Sequence, residues 1–308
     1  MIRTATTHTL IAGARPSQLA QRQTCQIIAQ LQQAWPWIRC ETTSITTTGD
    51  RNLGQSLPEI GGKGVFTDQI ESALRSTRID FAVHSLKDLP ISNAGGLVIA
   101  AISAREDARD VLVSGRGYTL ATLPHGARVG TSSLRRSAQL AAARPDLTLL
   151  PIRGNVDTRI RKAGEGEYDA VVLAAAGLAR LGLLEHVTEY LPLDVMLPAP
   201  GQAALAVQCR EEDIELRKML AAIDDAPARA AVSAERSFLN ALGGGCSAPV
   251  AAYARQNAAR PDVLSLSGLV ASADGRRVIR VQGEGAHPHE LGEELADRAL
   301  AQGAGALL

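Results

Sequence analysis

The sequence predicts an α/β protein of two lobes with mixed, mostly parallel sheets, followed by a small C-terminal α/β domain with an antiparallel sheet. Three observations predict it. Short apolar runs alternate with amphipathic helical spacing through the first two thirds of the chain, the pattern of strands joined by helical crossovers. After two such series, MLPAPGQAALAVQC reads as a strand returning to the first lobe, the double crossing by which two-lobed binding folds are wired. The tail carries two alternating runs joined by the turn Ala273-Asp274-Gly275, an antiparallel signature.

The elements follow in order. HTLIAGA is a strand, and a helix runs from about Ser17 to Leu31. ETTSITTT is a β-branched strand ending at the turn Gly49-Asp50. VFTDQIESALRS has helical spacing, and IDFAVHSL is a strand with a buried apolar run. ARVGTSS then leads into the helix SLRRSAQLAAARP, LTLLPIRG is the next strand, and a helix begins near Val156. YDAVVLAAAG is another buried strand. Beyond a break at Asp224-Asp225-Ala226-Pro227, the helix ARAAVSAERSFLNAL stops at three glycines, Gly243 to Gly245. DVLSLSGLVAS and RRVIRVQGEG are the tail strands, and HELGEELADRALAQG is the last helix. With 308 residues, the expected division is 1–103 plus 200–220 for domain 1, 104–199 for domain 2 and 221–308 for domain 3.

Composition narrows the function. Net charge is zero, with 32 basic and 32 acidic residues, and aromatics are only 3%. A nucleic-acid binder would carry a basic excess and stacking rings, so that class is set aside. No stretch approaches a membrane span, and the N-terminus lacks a secretory apolar core. A cytoplasmic, monomeric protein without membrane or nucleic-acid partners is expected. Its four cysteines, Cys25, Cys40, Cys209 and Cys246, are widely spaced and form no CxxC pair. Neither a zinc site nor a disulfide framework is expected.

The basic residues are lopsided: only four are lysine, Lys63, Lys87, Lys162 and Lys218. Genome composition is one explanation. The other is that Arg forks grip carboxylates and phosphates bidentately. Position favours the second. Arg15, Arg153 and Arg180 lie beyond strand ends, where open α/β sheets bind ligands. Arg159 follows one or two turns into the next helix. In GTSSLRRSAQL a strand, a hydroxyl-rich turn and a helix N-terminus make an anion site, with Arg135 and Arg136 in its first turns. Surface helices also carry solvated Arg, but the recurrence at strand ends suggests an Arg-lined cleft for a polyanionic ligand.

Two further motifs carry chemistry. HSLKDLP places Lys87 and Asp88 just past a buried strand. An isolated Lys-Asp pair is more often a solvated turn with a capping Asp. GGGCSAP puts Cys246 in a loop whose glycines permit close approach to other elements. A free cysteine is usually a small buried hydrophobe, the reading given to Cys25, Cys40 and Cys209. Cys246 is the candidate nucleophile or attachment point.

Together AGARPSQLA, GGKGVFT, AVHSLKDLP, GTSSLRR, RGNVDTR, LAAAGLARLG, LPAPGQAALAVQCR and GGGCSAP resemble, in order, the porphobilinogen deaminase (hydroxymethylbilane synthase) family over about residues 11 to 250. The resemblance implies three domains, the first two like periplasmic binding proteins. It implies a transferase of tetrapyrrole (porphyrin, heme) biosynthesis that joins four porphobilinogen molecules head to tail with loss of four ammonia molecules. Water then releases hydroxymethylbilane. It also implies a dipyrromethane cofactor held through a thioether to Cys246, with Asp88 catalytic. A carboxylate beside the pyrrole N–H groups would stabilise the cation left when ammonia departs. Arg15, Arg135, Arg136, Arg153, Arg159 and Arg180 match the family's carboxylate-binding arginines, and Ser17, Lys63, Phe66, Ser85, Lys87, Thr131, Ser133 and Gln202 match further binding positions. No metal is implied. Three departures stand out: Glu59 where a basic residue is usual, Pro16 after Arg15, and Ala203 for the second glycine of a GQG turn. Local backbone adjustment with retained activity is expected at these.

The main rival is a non-catalytic two-lobed binder of an anionic small molecule. It explains the arginines but needs neither Asp88 nor the Cys246 loop.

Overall fold

The computed structural model describes residues 8–51, 65–91, 94–243 and 248–308. In chain order the first strands are β1 (His8–Ala14), β2 (Ile38–Ser44), β3 (Phe81–Ser85), β4 (Leu97–Ile102) and β5 (Asp110–Val113). Next come β6 (Arg128–Gly130), β7 (Thr148–Leu150), β8 (Ala170–Ala174), β9 (Glu189–Tyr190) and β10 (Leu205–Arg210). The last are β11 (Val250–Gln256), β12 (Leu264–Ala271) and β13 (Val278–Gly285). They form three sheets, in the orders β2-β1-β3-β10-β4, β7-β6-β8-β5-β9 and β11-β12-β13.

The α/β class is the one expected, with a purely antiparallel third sheet. The first two sheets share one plan. In the first, β1 pairs in parallel with β2 and β3, while β10 runs antiparallel to β3 and β4. In the second, β6 is parallel to β7 and β8, while β5 is antiparallel to β8 and β9. Antiparallel pairing thus has an equal share with parallel pairing in both. The return of β10 to the first sheet is the crossing expected from LPAPGQAALAVQC.

The chain divides into two compact units, Met1–Arg105 with Ala204–Arg229, and Glu106–Ala203 with Ala230–Leu308. In the first unit the helix Gln18–Ala34 starts where Ser17 Oγ accepts the Ala20 N–H. It buries Ala20, Thr24, Ile27 and Leu31, spaced three to four residues apart, so one stripe faces the sheet. Ile27 and Leu31 join Leu10, Phe81, Val83, Leu205 and Val207 in the core.

In the second unit β5 and β8 are covered on both faces. Val111, Val113, Val171 and Leu173 pack on one side, and Leu112 and Val172 on the other. That double burial is why these strands read as unbroken apolar runs. The third sheet is backed by helices Ala226–Ala241 and Pro288–Ala301. These two helices meet at Gly292, where a Cβ would come within 2.5 Å of the Ala234 carbonyl oxygen. The fully buried Glu235 fastens this layer: its carboxylate accepts the Gly201 N–H at 2.7 Å and the Ala254 N–H at 2.8 Å.

Several sequence expectations need correction. The strand read at ETTSITTT lies earlier, at Ile38–Ser44, and Thr48–Arg51 is a helical turn. Asp50 breaks the strand by accepting from the Thr47 N–H and hydroxyl, a local bond that competes with a ladder. The sequence pattern does not anticipate strands β4, β5, β9 and β11. Cys25 is exposed rather than buried, whereas Cys209 is buried and Cys40 partly so. Burial pushes the Cys40 and Cys209 thiols up to about 11, which keeps them unreactive. Among the described residues no helix is long and apolar enough to cross a membrane.

Candidate functional site

The sequence-predicted residues fall into two groups, one on each unit. On the first unit they gather at the ends of β1 and β3. Arg15 follows β1, and its guanidinium is gripped by Asp50: Nε donates to Oδ2 at 3.3 Å and Nη2 to Oδ1. The same guanidinium carbon lies 4.2 Å from the centre of the Phe66 ring, a cation–π contact. Gly49 makes room for that ring, because a Cβ there would sit 2.0 Å from Phe66 Cε1. Burial alone would raise the Asp50 carboxyl, but hydrogen bonds from Arg15 and Thr47 outweigh it and hold it below the usual carboxylate range.

At the end of β3 the chain turns through the 3-10 segment Leu86–Asp88. Leu86 is buried and anchors the turn by donating its N–H to the Ala204 carbonyl at 3.0 Å. Lys87 is half-buried and Asp88 exposed, so burial of Leu86 sends the Asp88 carboxylate outward. Ser85 Oγ accepts from the buried Gln23 amide at 2.9 Å. Ser17 caps the first helix, as described. Lys63, Glu59 and Cys246 lie outside the described residues.

On the second unit the turn after β6 is tied down by its own hydroxyls. Thr131 donates its N–H to the Leu150 carbonyl at 2.9 Å, and Thr131 Oγ1 accepts the Ser133 N–H at 3.2 Å. Ser133 then caps the helix Leu134–Ala143 by accepting the Arg136 N–H. The first turn of that helix carries Arg135 and Arg136 inward. They are 4% and 7% exposed, and each meets Asp110, which is 0% exposed. Burial would raise the Asp110 carboxyl, yet the two guanidiniums hold it far below the usual range. Gln202, also fully buried, donates to Asp110 Oδ1 at 2.9 Å and to the Ala108 carbonyl at 2.8 Å.

Arg153 is half-buried beyond β7, and Arg159 Nε donates to the Gly154 carbonyl at 2.9 Å. Arg180 closes the helix Ala175–Leu181 and donates from Nη2 to the Ala203 carbonyl at 2.7 Å. Its Nε is buried with no hydrogen-bond partner among the described residues. Burial lowers the Arg180 pKa from its ordinary value, against the pull of Glu106. An enclosed cationic N–H without an acceptor is costly. It is the kind of donor a ligand carboxylate would satisfy, and so the donor set fits an anionic pyrrole group. Ala203 itself stands at φ 76, the left-handed region where a Cβ is penalised. The backbone has kept a conformation that favours glycine instead of relaxing around the alanine.

Sequence reasoning missed the two carboxylates, Asp50 and Asp110. Nothing in the local pattern marks either, since their arginines lie 35 and 26 positions away in the chain.

Comparison with known proteins adds an independent line. Residues 10–218 match the family model for the porphobilinogen deaminase dipyrromethane cofactor binding domain, and residues 229–301 match the porphobilinogen deaminase C-terminal domain. A porphobilinogen deaminase of Roseiflexus castenholzii is 51% identical over 302 residues, covering 98% of this chain and 99% of the relative. One from Brevibacillus brevis is 48% identical over 296 residues, covering 96% and 95%. Among solved structures, the periplasmic VFT2 domain of Bordetella pertussis BvgS is 14% identical with a TM-score of 0.41, over 70% of this chain and 86% of that one.

Proposed function

Since the chain belongs to the porphobilinogen deaminase family, its activity is that of a hydroxymethylbilane synthase, and we propose that Asp88 is its catalytic carboxylate and Cys246 the attachment point of its dipyrromethane. The reaction joins four porphobilinogen molecules head to tail, releases four ammonia molecules, and ends with hydrolytic release of the linear tetrapyrrole. The bound dipyrromethane supplies the free pyrrole carbon from which the chain starts. A non-catalytic binder is not favoured, because the near full-length relatives carry the enzyme's name.

The residues of this chain divide the work. Asp88 stabilises the positive charge that spreads over the substrate pyrrole as ammonia leaves, and assists loss of the proton that restores aromaticity. The observation supporting this role is its exposed carboxylate on a turn anchored by buried Leu86. Arg15, Arg135, Arg136, Arg153, Arg159 and Arg180 bind acetate and propionate arms. Ser17, Lys63, Phe66, Ser85, Lys87, Thr131, Ser133 and Gln202 line or support the same sites. The three-domain division, a cytoplasmic location and a monomeric state belong to this reading as well, without nucleic-acid or membrane partners.

The role of Asp88 is tested by Asp88→Asn. The variant should melt with the wild type and still carry its pyrrole units by intact mass. Its turnover should fall by about a hundredfold or more. Turnover near wild type would remove Asp88 from the chemistry.

A further inference from the structure

Arg135 and Arg136 share one carboxylate, and they use it unequally. All three guanidinium nitrogens of Arg136 are engaged. Nε and Nη2 donate to Asp110 Oδ1 at 3.2 and 2.7 Å, and Nη1 donates to the Val172 carbonyl at 2.9 Å. The contacts of Arg135 fall on Nη1 alone. That atom lies 2.7 Å from the Leu197 carbonyl oxygen, 2.7 Å from Asp110 Oδ2 and 3.7 Å from Met196 Sδ. The Asp110 contact is ionic, since Oδ2 receives no aligned N–H. Among the described residues Arg135 Nε and Nη2 have no hydrogen-bond partner. The Arg135 side chain keeps 5% of its surface exposed.

The charges point the same way. Among the described residues Asp110 is the one carboxylate paired with either guanidinium. Gln202 also hydrogen-bonds Asp110 Oδ1 but brings no charge. The cluster therefore keeps one surplus positive charge in a nearly water-free setting. Isolated buried charge is unfavourable, so the arrangement suits one further anion.

We propose that Asp110 is a positioning residue that fixes Arg136 in the framework and leaves Arg135 as the donor of the pair, so that one ligand carboxylate binds here and binds on Arg135. This rests on the reading of the site as one that holds the carboxylate arms of the dipyrromethane. It also corrects that reading in one respect: Arg136 acts through its neighbours, not on the ligand.

The test uses full-length protein produced in cells unable to make porphobilinogen and then incubated with it. Four variants are compared with wild type: Arg135→Met, Arg136→Met, Asp110→Asn and the double variant Asp110→Asn with Arg136→Met. The readouts are the fraction carrying two pyrrole units by intact mass, the melting temperature, and kcat and KM of the loaded fraction. Each single variant should load about tenfold less or worse, the scale of losing a charged hydrogen bond. The double variant keeps Arg135 and the single surplus charge, so it should regain most of the loading that Arg136→Met loses. A double variant no better than Arg136→Met would make Arg136 a direct donor and overturn the proposal. Loading that falls only as the melting temperature falls, with kcat and KM unchanged, would reduce Asp110 to a structural role and also overturn it. Wild-type loading by Arg135→Met would instead sink the carboxylate-binding reading itself.

If the variants do not fold, wild-type protein supplies a second measurement. Nitrogen-15 spectra of the arginine Nε–H groups are recorded before and after loading. The Arg135 resonance should move and the slowly exchanging Arg136 resonance should stay. The reverse would overturn the assignment.

Discussion

His84 Nε2 lies 3.1 Å from Gln208 Oε1, across the antiparallel pairing of β3 and β10, and both side chains are buried. Burial pushes the His84 pKa down to about 4, and the charge of Arg15 adds to it, although the Gln208 contact works the other way. The folded protein therefore holds this imidazole neutral. An unfolded chain takes up a proton near pH 6.5.

The sign of the pH effect follows. Between pH 6.5 and about 4 the unfolded state binds more protons, so stability falls as pH falls through that window. It is complete above pH 6.5. The loss should reach roughly 2–3 kcal/mol at the acid end. Melting curves at several pH values should show it in wild type and show a flatter profile in His84→Gln. Equal pH dependence in the two proteins would contradict the assignment.

Ala203 sits at φ 76. Glycine removes the Cβ penalty there, so Ala203→Gly should stabilise by about 1 kcal/mol, a rise of roughly 2 °C in melting temperature for a chain of this size. Arg180 bonds the carbonyl and not the side chain at 203, so turnover should stay within about twofold. An unchanged or lower melting temperature would show that the position is not strained.

Gly49 is the space into which the Phe66 ring fits. Gly49→Ala should displace the ring from Arg15 and cost about 1–3 kcal/mol as overpacking. Arg15 would keep its Asp50 partner but lose its flat support. KM for porphobilinogen should rise more than kcat falls. A variant with wild-type melting and KM would contradict the supporting role of Phe66.

Much of this was legible in the sequence, for physical reasons that differ by element. β3 and β8 are buried on both faces and therefore stand out as apolar runs. The helix at Leu134 announces itself through the Ser133 cap. β4 (LVIAAI) and β11 (VAAYARQ) carry their apolar residues without clean alternation, and β5 is only four residues long, so neither periodicity nor length marks them. For the site, the pattern located the arginines at strand ends but could not give their partners. Asp50 and Asp110 are brought to Arg15 and Arg136 by tertiary folding alone. These carboxylates make the guanidiniums unequal: Arg15 and Arg136 are each gripped by one.

The central claim is that Cys246 carries a covalent dipyrromethane on which the chain is built. Intact mass spectrometry tests it directly. Wild-type protein should exceed its sequence mass by a two-pyrrole unit, and Cys246→Ser should appear at the bare sequence mass, folded but without turnover. A wild-type protein that is active at the bare sequence mass, or a Cys246→Ser protein that keeps the added mass, would contradict the account.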